Sequence, residues 1–297
     1  MISVIVCSIN IGFLAKLKEN IAATIGVTYE LISIDNRSNQ FSICEAYNKG
    51  GGQAIYPYLC FIHEDIIFET ENWGPLFCKH LSKSSTGLVG VAGGDTKSYV
   101  PSSWSIPFYS NEINIIQHYK NKEIPAATII ETNKGVYGTA KKVAVLDGVL
   151  LGTRKNIFDA IHFDEHTFTS FHGYDIDYSL QVGLRYDLFV LFDVLIHHYS
   201  EGNPNKQWMQ SAIMLSNKWK KILPVSVYPL TTADFQLHYW KTLQVFIDHC
   251  FRLQYSILHI LYYYGRYSFG PFFSIRRFLS LGNYIGRKLF HTTQGGK

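Results

Sequence analysis

His63, Glu64 and Asp65 close an apolar run, Tyr58-Leu-Cys-Phe-Ile62. An apolar run of that length, bounded by polar residues, reads as a buried strand. A buried strand that ends in carboxylates presents oxygen ligands at the edge where open α/β sheets take their substrates. Hard divalent cations bind such oxygens, and diphosphates bind such cations. Three further groups stand in comparable places: Asp35-Asn36, the pair Asp175 and Asp177, and His197-His198. In a single sheet, each would fall at a strand's C-terminal end or in the following loop. Carboxylates and imidazoles gathered there make a mixed oxygen and nitrogen site for Mn2+ or Mg2+. Taken singly, each group has an ordinary structural reading: an acidic strand exit, a helix cap, a packed histidine pair.

The elements that would position them follow in order. Residues 2–7 read as a buried parallel strand, 13–23 as a helix and 30–34 as a second strand ending at Asp35. Ser42 is placed to cap a helix through Ala46-Tyr47-Asn48, which Gly50-Gly51-Gly52 should stop. The strand 58–62 comes next, then a fourth apolar run at 88–92. Residues 96–142 lack periodicity and read as an inserted, partly β segment on the acceptor side. Strand signals resume at 143–146, a helix is predicted at 175–185, a strand at 189–196 and a helix at 208–221, stopped by Pro224. Strands alternating with helices predict an α/β fold with a mostly parallel central sheet flanked by helices.

A hydrophobic content of 47% over 297 residues supports one large domain or two small ones and argues against disorder. The five cysteines show no CxxC spacing and are an odd count, which reads as reduced thiols in a cytoplasmic protein. Residues 1–7 lack a cationic leader and are too short for a signal segment. No stretch is long and apolar enough to predict a spanning helix.

With these elements placed, the chain resembles the family 2 glycosyltransferases, which have a GT-A fold. The resemblance covers residues 1–225 and rests on Val4-Ile-Val-Cys-Ser8, Ser33-Ile-Asp35-Asn36-Arg-Ser38, Ala46-Tyr-Asn48-Lys-Gly50 and Phe61-Ile-His63-Glu64-Asp65. It continues through Asp147-Gly148, Phe163-Asp164-Glu165, Gly173-Tyr174-Asp175-Ile176-Asp177, His197-His198-Tyr-Ser-Glu-Gly202 and Lys218-Trp219. The resemblance implies a nucleotide-sugar donor and a single, inverting displacement. It places Ser8, Asn10, Asp35, Asn36 and Asn48 around the nucleotide, and Asp147, Gly148 and Asp177 near the donor or acceptor sugar. Asp65 matches the last acid of the family's metal motif, with His198 or His197 as the late ligand. Asp175 matches the aspartate of the Glu-Asp pair that holds the catalytic base. Two positions depart from the pattern: the metal motif begins with His63, and Tyr174 stands where the pair has its first acid. A branch with a His-x-Asp motif is the version this chain looks like. By analogy, the acceptor is a glycan or a lipid-linked glycan, in polysaccharide or surface-glycan assembly.

The chemistry stands without the name. Displacing a nucleoside diphosphate from an anomeric carbon needs a cation to absorb charge on the leaving phosphates. It also needs a base to take the proton from the attacking hydroxyl. Asp175 opens a predicted helix, whose N-terminus favours the ionised form and should lower its basicity. Trp104 offers an aromatic face for a sugar ring. The rival readings are a nucleotidyltransferase or hydrolase acting on the same donors, and a binding protein that keeps the fold without the activity. A nucleotidyltransferase would show a glycine-rich phosphate loop early in the chain, whereas the triple glycine here lies at a predicted helix end.

From 249 to 297 there are seven Lys or Arg and no acid, whereas the preceding residues carry 20 basic and 23 acidic groups. Apolar residues recur at helical spacing over 233–264. Residues 226–297 are therefore predicted to be a helical, basic and aromatic extension. Such a composition suits peripheral contact through 235–297 with the inner face of a membrane. The alternative is an extension that packs on the catalytic domain or makes a homodimer. No nucleic-acid motif accompanies it.

Overall fold

The computed structural model describes residues 1–105, 111–120, 127–132, 135–136, 138–202, 204–270 and 272–294. The N-terminal apolar run forms β1 (Ile2–Ser8), which has a partner on each edge. Asn10 caps α1 (Ile11–Thr24) by accepting from the N–H of Gly12 and Phe13. The second strand, β2 (Tyr29–Asp35), pairs parallel with β1. Ser42 and Glu45 form a reciprocal capping box on α2 (Ile43–Gln53). The glycines expected to stop this helix lie within it instead. A Cβ on Gly50 would come within 2.4 Å of Ile5, and one on Gly51 within 2.4 Å of Phe158. Their smallness lets α2 lie close to the sheet, which outweighs their poor helix propensity.

Next come β3 (Tyr58–Ile62), β4 (Ile66–Phe68), α3 (Trp73–Leu81), β5 (Thr86–Gly90), β6 (Ala92–Gly94) and β7 (Thr96–Lys97). The expected insert supplies β8 (Asn111–His118), β9 (Ala127–Glu131) and most of β10 (Ala140–Val143). Its residues 106–110, 121–126, 133–134 and 137 lie outside the described residues. Then follow β11 (Val145–Leu146), β12 (Leu150–Arg154), α4 (Lys155–Ala160), α5 (Tyr174–Gly183), β13 (Asp187–Leu191), β14 (Ile196–His198), α6 (Lys206–Lys218) and β15 (Val225–Ser226).

The main sheet runs β10-β13-β5-β12-β3-β1-β2. Five of its strands point one way, and only β12 and β10 are reversed. Strand alternation splits β1 between two cores: Ile5 packs with Tyr47 and Phe61 on one face, Val4 and Val6 with Leu17 and Ile21 on the other. This is the α/β arrangement expected, with helices against the central sheet.

A second sheet, β11-β6-β8-β14-β4 with β9 on β8, builds the other wall of the site. Two runs read as single strands are each divided between the sheets. Residues 88–92 break at Val91 between β5 and β6, and 189–196 breaks after Leu191 between β13 and β14. The second break carries the histidine pair across to β4, which follows Asp65 directly.

The C-terminal pattern read as one helix over 233–264 is two, α7 (Thr232–Arg252) and α8 (Ile257–Ser268). Gln254 takes a left-handed φ of 55° between them, and Ser256 caps the second. A third helix, α9 (Ile275–Gln294), follows. These helices share a core through Leu243, Phe246 and Ile285, which also takes in Met209 of α6 and Val100.

Candidate functional site

The C-terminal ends of β1 and β3 open onto a cavity of about 690 Å³, walled by Ile9, Asn10, Asn36, Phe41, Tyr47 and the tripeptide 63–65. Glu64 is buried there, and its carboxylate accepts from Ser8 Oγ at 2.7 Å and from the N–H of Ile9 and Asn10 at 3.1 and 3.0 Å. Three donors occupy it, so Glu64 anchors the first loop and does not offer a free ligand. Ser8 is engaged with Glu64 beneath the cavity wall. The Asn36 amide bridges the backbone of Phe41, donating at 2.8 Å and accepting at 2.9 Å, which shapes the loop after β2. Asp35 is exposed, does not line the cavity, and pairs with Arg37 at 2.6 Å. That guanidinium holds its carboxyl well below the usual range. Asn48 also stands elsewhere: it holds the backbone of Phe163 at 2.9 and 3.0 Å and the Glu165 carboxylate at 2.8 Å. Of the five residues expected around a nucleotide, Asn10 and Asn36 reach the cavity wall.

His63, Asp65 and His198 each offer one ligand atom, and those atoms lie within 4.8 Å of one another. Both imidazoles have their tautomer set by neighbours. The Tyr174 hydroxyl donates to Gly148 O at 3.1 Å, so His63 Nε2–H must donate to Tyr174 at 2.9 Å. That leaves the lone pair on His63 Nδ1. Gln117 spends its amide N–H groups on the carbonyls of His198 and Ser200, at 3.2 and 2.8 Å. Its oxygen therefore accepts from His198 Nδ1–H at 3.0 Å, leaving the lone pair on Nε2, beside Ser200 Oγ. Burial holds the His63 pKa below its ordinary value, which keeps the ring neutral. A ligating imidazole needs its second nitrogen fixed in this way. Two imidazoles and a carboxylate fit a divalent cation with an appetite for nitrogen as well as oxygen.

His197 is not part of this group. Alternation along β14 turns it to the other side, where Nδ1 lies 2.8 Å from His118 Nε2 and Nε2 lies 3.0 Å from Glu69. His63 and Asp65 flank Glu64 in the turn between β3 and β4, and that turn brings both to His198.

A second cavity of about 300 Å³ adjoins the first, with His63, Phe171 and Ser200 in both walls. Trp104, Asp147, Gly148 and Asp175 line it, joined by His172 and Trp208. Gly148 N–H donates to Asp175 at 3.2 Å. A Cβ on Gly148 would stand 2.0 Å from the Tyr174 hydroxyl, so only glycine fits the turn. Asp175 sits in the first turn of α5, yet its pKa is raised to about 7. Burial comes first among the causes and the Asp147 charge second; together they outweigh the helix terminus and the three backbone N–H donors. The lowered basicity expected from the helix is thus overturned. Asp177 points the other way and is buried. It accepts from Lys218 at 2.8 Å, Trp219 Nε1 at 2.7 Å and Gln181 at 2.8 Å, fastening α5 to the end of α6.

Several site residues escape a reading of the sequence alone. His63 stands in the motif but becomes legible as a ligand only once the turn after β3 brings it to His198. Tyr174 reads as a lost acid. Gln117, Phe171 and Trp208 carry no motif at all.

The profile of the glycosyltransferase-like family matches residues 3–218. No curated protein matches the sequence. Among solved structures, the chain is similar to A197 from STIV at 12% identity, over 67% of this chain and 86% of that one, with a TM-score of 0.36. GalNAc-T7 with UDP, GalNAc and Mn2+ is similar at 10% identity, over 96% and 55% of the two chains, with a TM-score of 0.47. S. aureus TarS 1–349 in complex with UDP-GlcNAc is similar at 11% identity, over 87% and 69%, with a TM-score of 0.43. Every residue lining the two cavities falls inside the span that the family profile matches. The chain belongs to the glycosyltransferase-like family, and the protein is a glycosyltransferase built on a mostly parallel α/β sheet flanked by helices.

Proposed function

We propose that this enzyme moves a sugar from a nucleotide-diphosphate donor to a hydroxyl of a glycan or lipid-linked glycan, by one inverting displacement. The observation that carries the reading is the meeting of the two cavities at His63, with Asp65 in the wall of the larger and His198 in the wall of the smaller. The larger cavity takes the nucleotide, against Asn10, Asn36 and the Phe41 and Tyr47 rings. The junction takes the diphosphate, and the smaller cavity takes the sugar and the attacking hydroxyl. Both volumes suit ligands of this size.

His63, Asp65 and His198 would hold a divalent cation, and the two imidazoles favour Mn2+ over Mg2+. Bound there, the cation would neutralise charge developing on the leaving diphosphate. Asp175 accepts the proton of the attacking hydroxyl. A carboxylate with a pKa of about 7 is a stronger base than an ordinary one and is about half ionised at neutral pH. Gly148 N–H orients that carboxylate, and Trp104 and Trp208 supply aromatic faces to sugar rings.

The test is incubation of the protein with a panel of nucleotide sugars and Mn2+. Release of nucleoside diphosphate, abolished by Asp65→Ala, is expected. Release of nucleoside monophosphate with sugar phosphate would mean a hydrolase of another kind. Donor binding without turnover on any acceptor would mean a binding protein.

A further inference from the structure

We propose that the outward face of α8 and α9 seats the protein on the surface of an anionic phospholipid bilayer. Helix α8 buries Ile260 and Tyr267 but exposes Leu258 at 79%, Leu261 at 46% and Tyr262 at 56%. Helix α9 buries Leu281 and Ile285 and exposes Ile275, Leu279 and Phe290, whose spacing places them on one side of the helix. The two faces are joined: Phe269 and Phe273, both exposed, stack with ring centroids 5.4 Å apart between the helices. A continuous apolar face of this extent is unusual on a soluble monomer and marks an interaction surface.

Charge decides the occupant. The sequence after Asp248 contains no Asp or Glu, and Asp248 is itself engaged by Tyr284 and Lys288. Arg276 and Arg287 are exposed, lie three helical turns apart along the edge of the α9 apolar face, and form no ion pair among the described residues. Two copies of such a face would bring like charges together, which disfavours a dimer across it. An anionic leaflet offers both the apolar layer and the opposite charge. No helix among the described residues is long and apolar enough to cross a membrane, so the contact is a surface one.

The extension is also fastened to the catalytic part. The Trp208 ring, in the wall of the smaller cavity, packs edge-on against His249 at 5.1 Å, and Arg266 donates to Asn217 of α6 at 2.7 Å. Seating α8 and α9 on a bilayer therefore fixes the height of that cavity above the lipid. The inference does not depend on the roles given to Asp65 or Asp175.

Co-sedimentation of the full chain with vesicles tests it. Binding is expected to vesicles containing phosphatidylglycerol and not to pure phosphatidylcholine, and it should weaken with salt. Each arginine facing the leaflet contributes about fivefold in partition, so the double variant Arg276→Glu, Arg287→Glu should lose about thirtyfold or more. The double variant Leu258→Asp, Leu279→Asp should abolish binding at any salt, with an unchanged melting curve because both sites are exposed. The proposal is overturned by absence of binding to anionic vesicles, or by binding that neither variant reduces. A dimer in sedimentation velocity that the leucine variant dissolves would overturn it in favour of a second copy of the chain.

Discussion

Two residues that depart from the pattern expected from the resemblance touch each other. His63 stands where an acid of a metal motif was expected, Tyr174 where the first acid of a Glu-Asp pair was expected, and the two are hydrogen-bonded at 2.9 Å. A carboxylate at 174 would compete for the cation and charge His63; a phenol instead fixes the tautomer that leaves a lone pair free. Tyr174→Phe removes that acceptor. Mn2+ affinity should fall by ~10–100-fold, the usual cost of losing such an outer partner, while donor binding without metal stays unchanged. Titration calorimetry with Mn2+ alone reads this, and an unaltered affinity would show that packing suffices to orient the ring. The proposed base makes a second prediction at this scale. Asp175 is raised to about 7, so it is protonated and inactive below that value and ionised above it. Transfer should rise with pH through about 7 and level off above. Asp175→Asn should lower kcat by ~10²–10⁴-fold with little change in donor affinity. A flat profile between pH 5 and 8 would remove Asp175 from the role. Neither interaction is legible locally: His63 and Tyr174 are 111 residues apart, and a helix terminus by itself predicts the opposite shift for Asp175.

At the scale of elements, the site is a product of strand alternation and of two strands that change sheets. Ser42 is readable as a cap because a cap depends on three or four neighbouring residues. The apolar runs at 2–7 and 58–62 are readable because both faces of their strands are covered. The break between β13 and β14 is not, since in residues 189–196 only Asp193 interrupts the apolar run and the partner strand β8 comes from the insert that shows no periodicity. That break decides which histidine meets Asp65. His198→Ala should abolish Mn2+ binding, whereas His197→Ala should leave it within about twofold, because only the former shares a face with the cluster. His197→Ala should instead lower stability by roughly 1 kcal/mol through its lost hydrogen bonds to His118 and Glu69. Equal loss of metal binding in both would mean that β14 can shift its register.

Across the whole molecule, α6 is shared between two structures. One side lines the smaller cavity with Trp208, Ser211 and Leu215, and the other enters the core of the extension through Met209. Nothing in the sequence announces this, because the apolar positions of α6 do not say which partner each will meet. The two cavities draw on α6 unequally. The larger is lined mainly from the loops after β1, β2 and β3, with Gln207 its one contribution from α6, whereas the smaller takes Trp208, Ser211, Ala212 and Leu215 from that helix. Trp208→Ala should therefore leave donor affinity and slow donor hydrolysis in water unchanged. Transfer should fall through the acceptor: an aromatic face of this kind is worth ~0.5–1.5 kcal/mol, which corresponds to about twofold to tenfold in kcat/KM for the acceptor. Steady-state kinetics with donor and acceptor varied in turn distinguishes the outcomes. A rise in acceptor KM alone identifies Trp208 as part of the acceptor's platform. An equal loss in donor hydrolysis would show that removing the ring disturbs α6 as a whole, and with it the junction at His63 where both cavities meet.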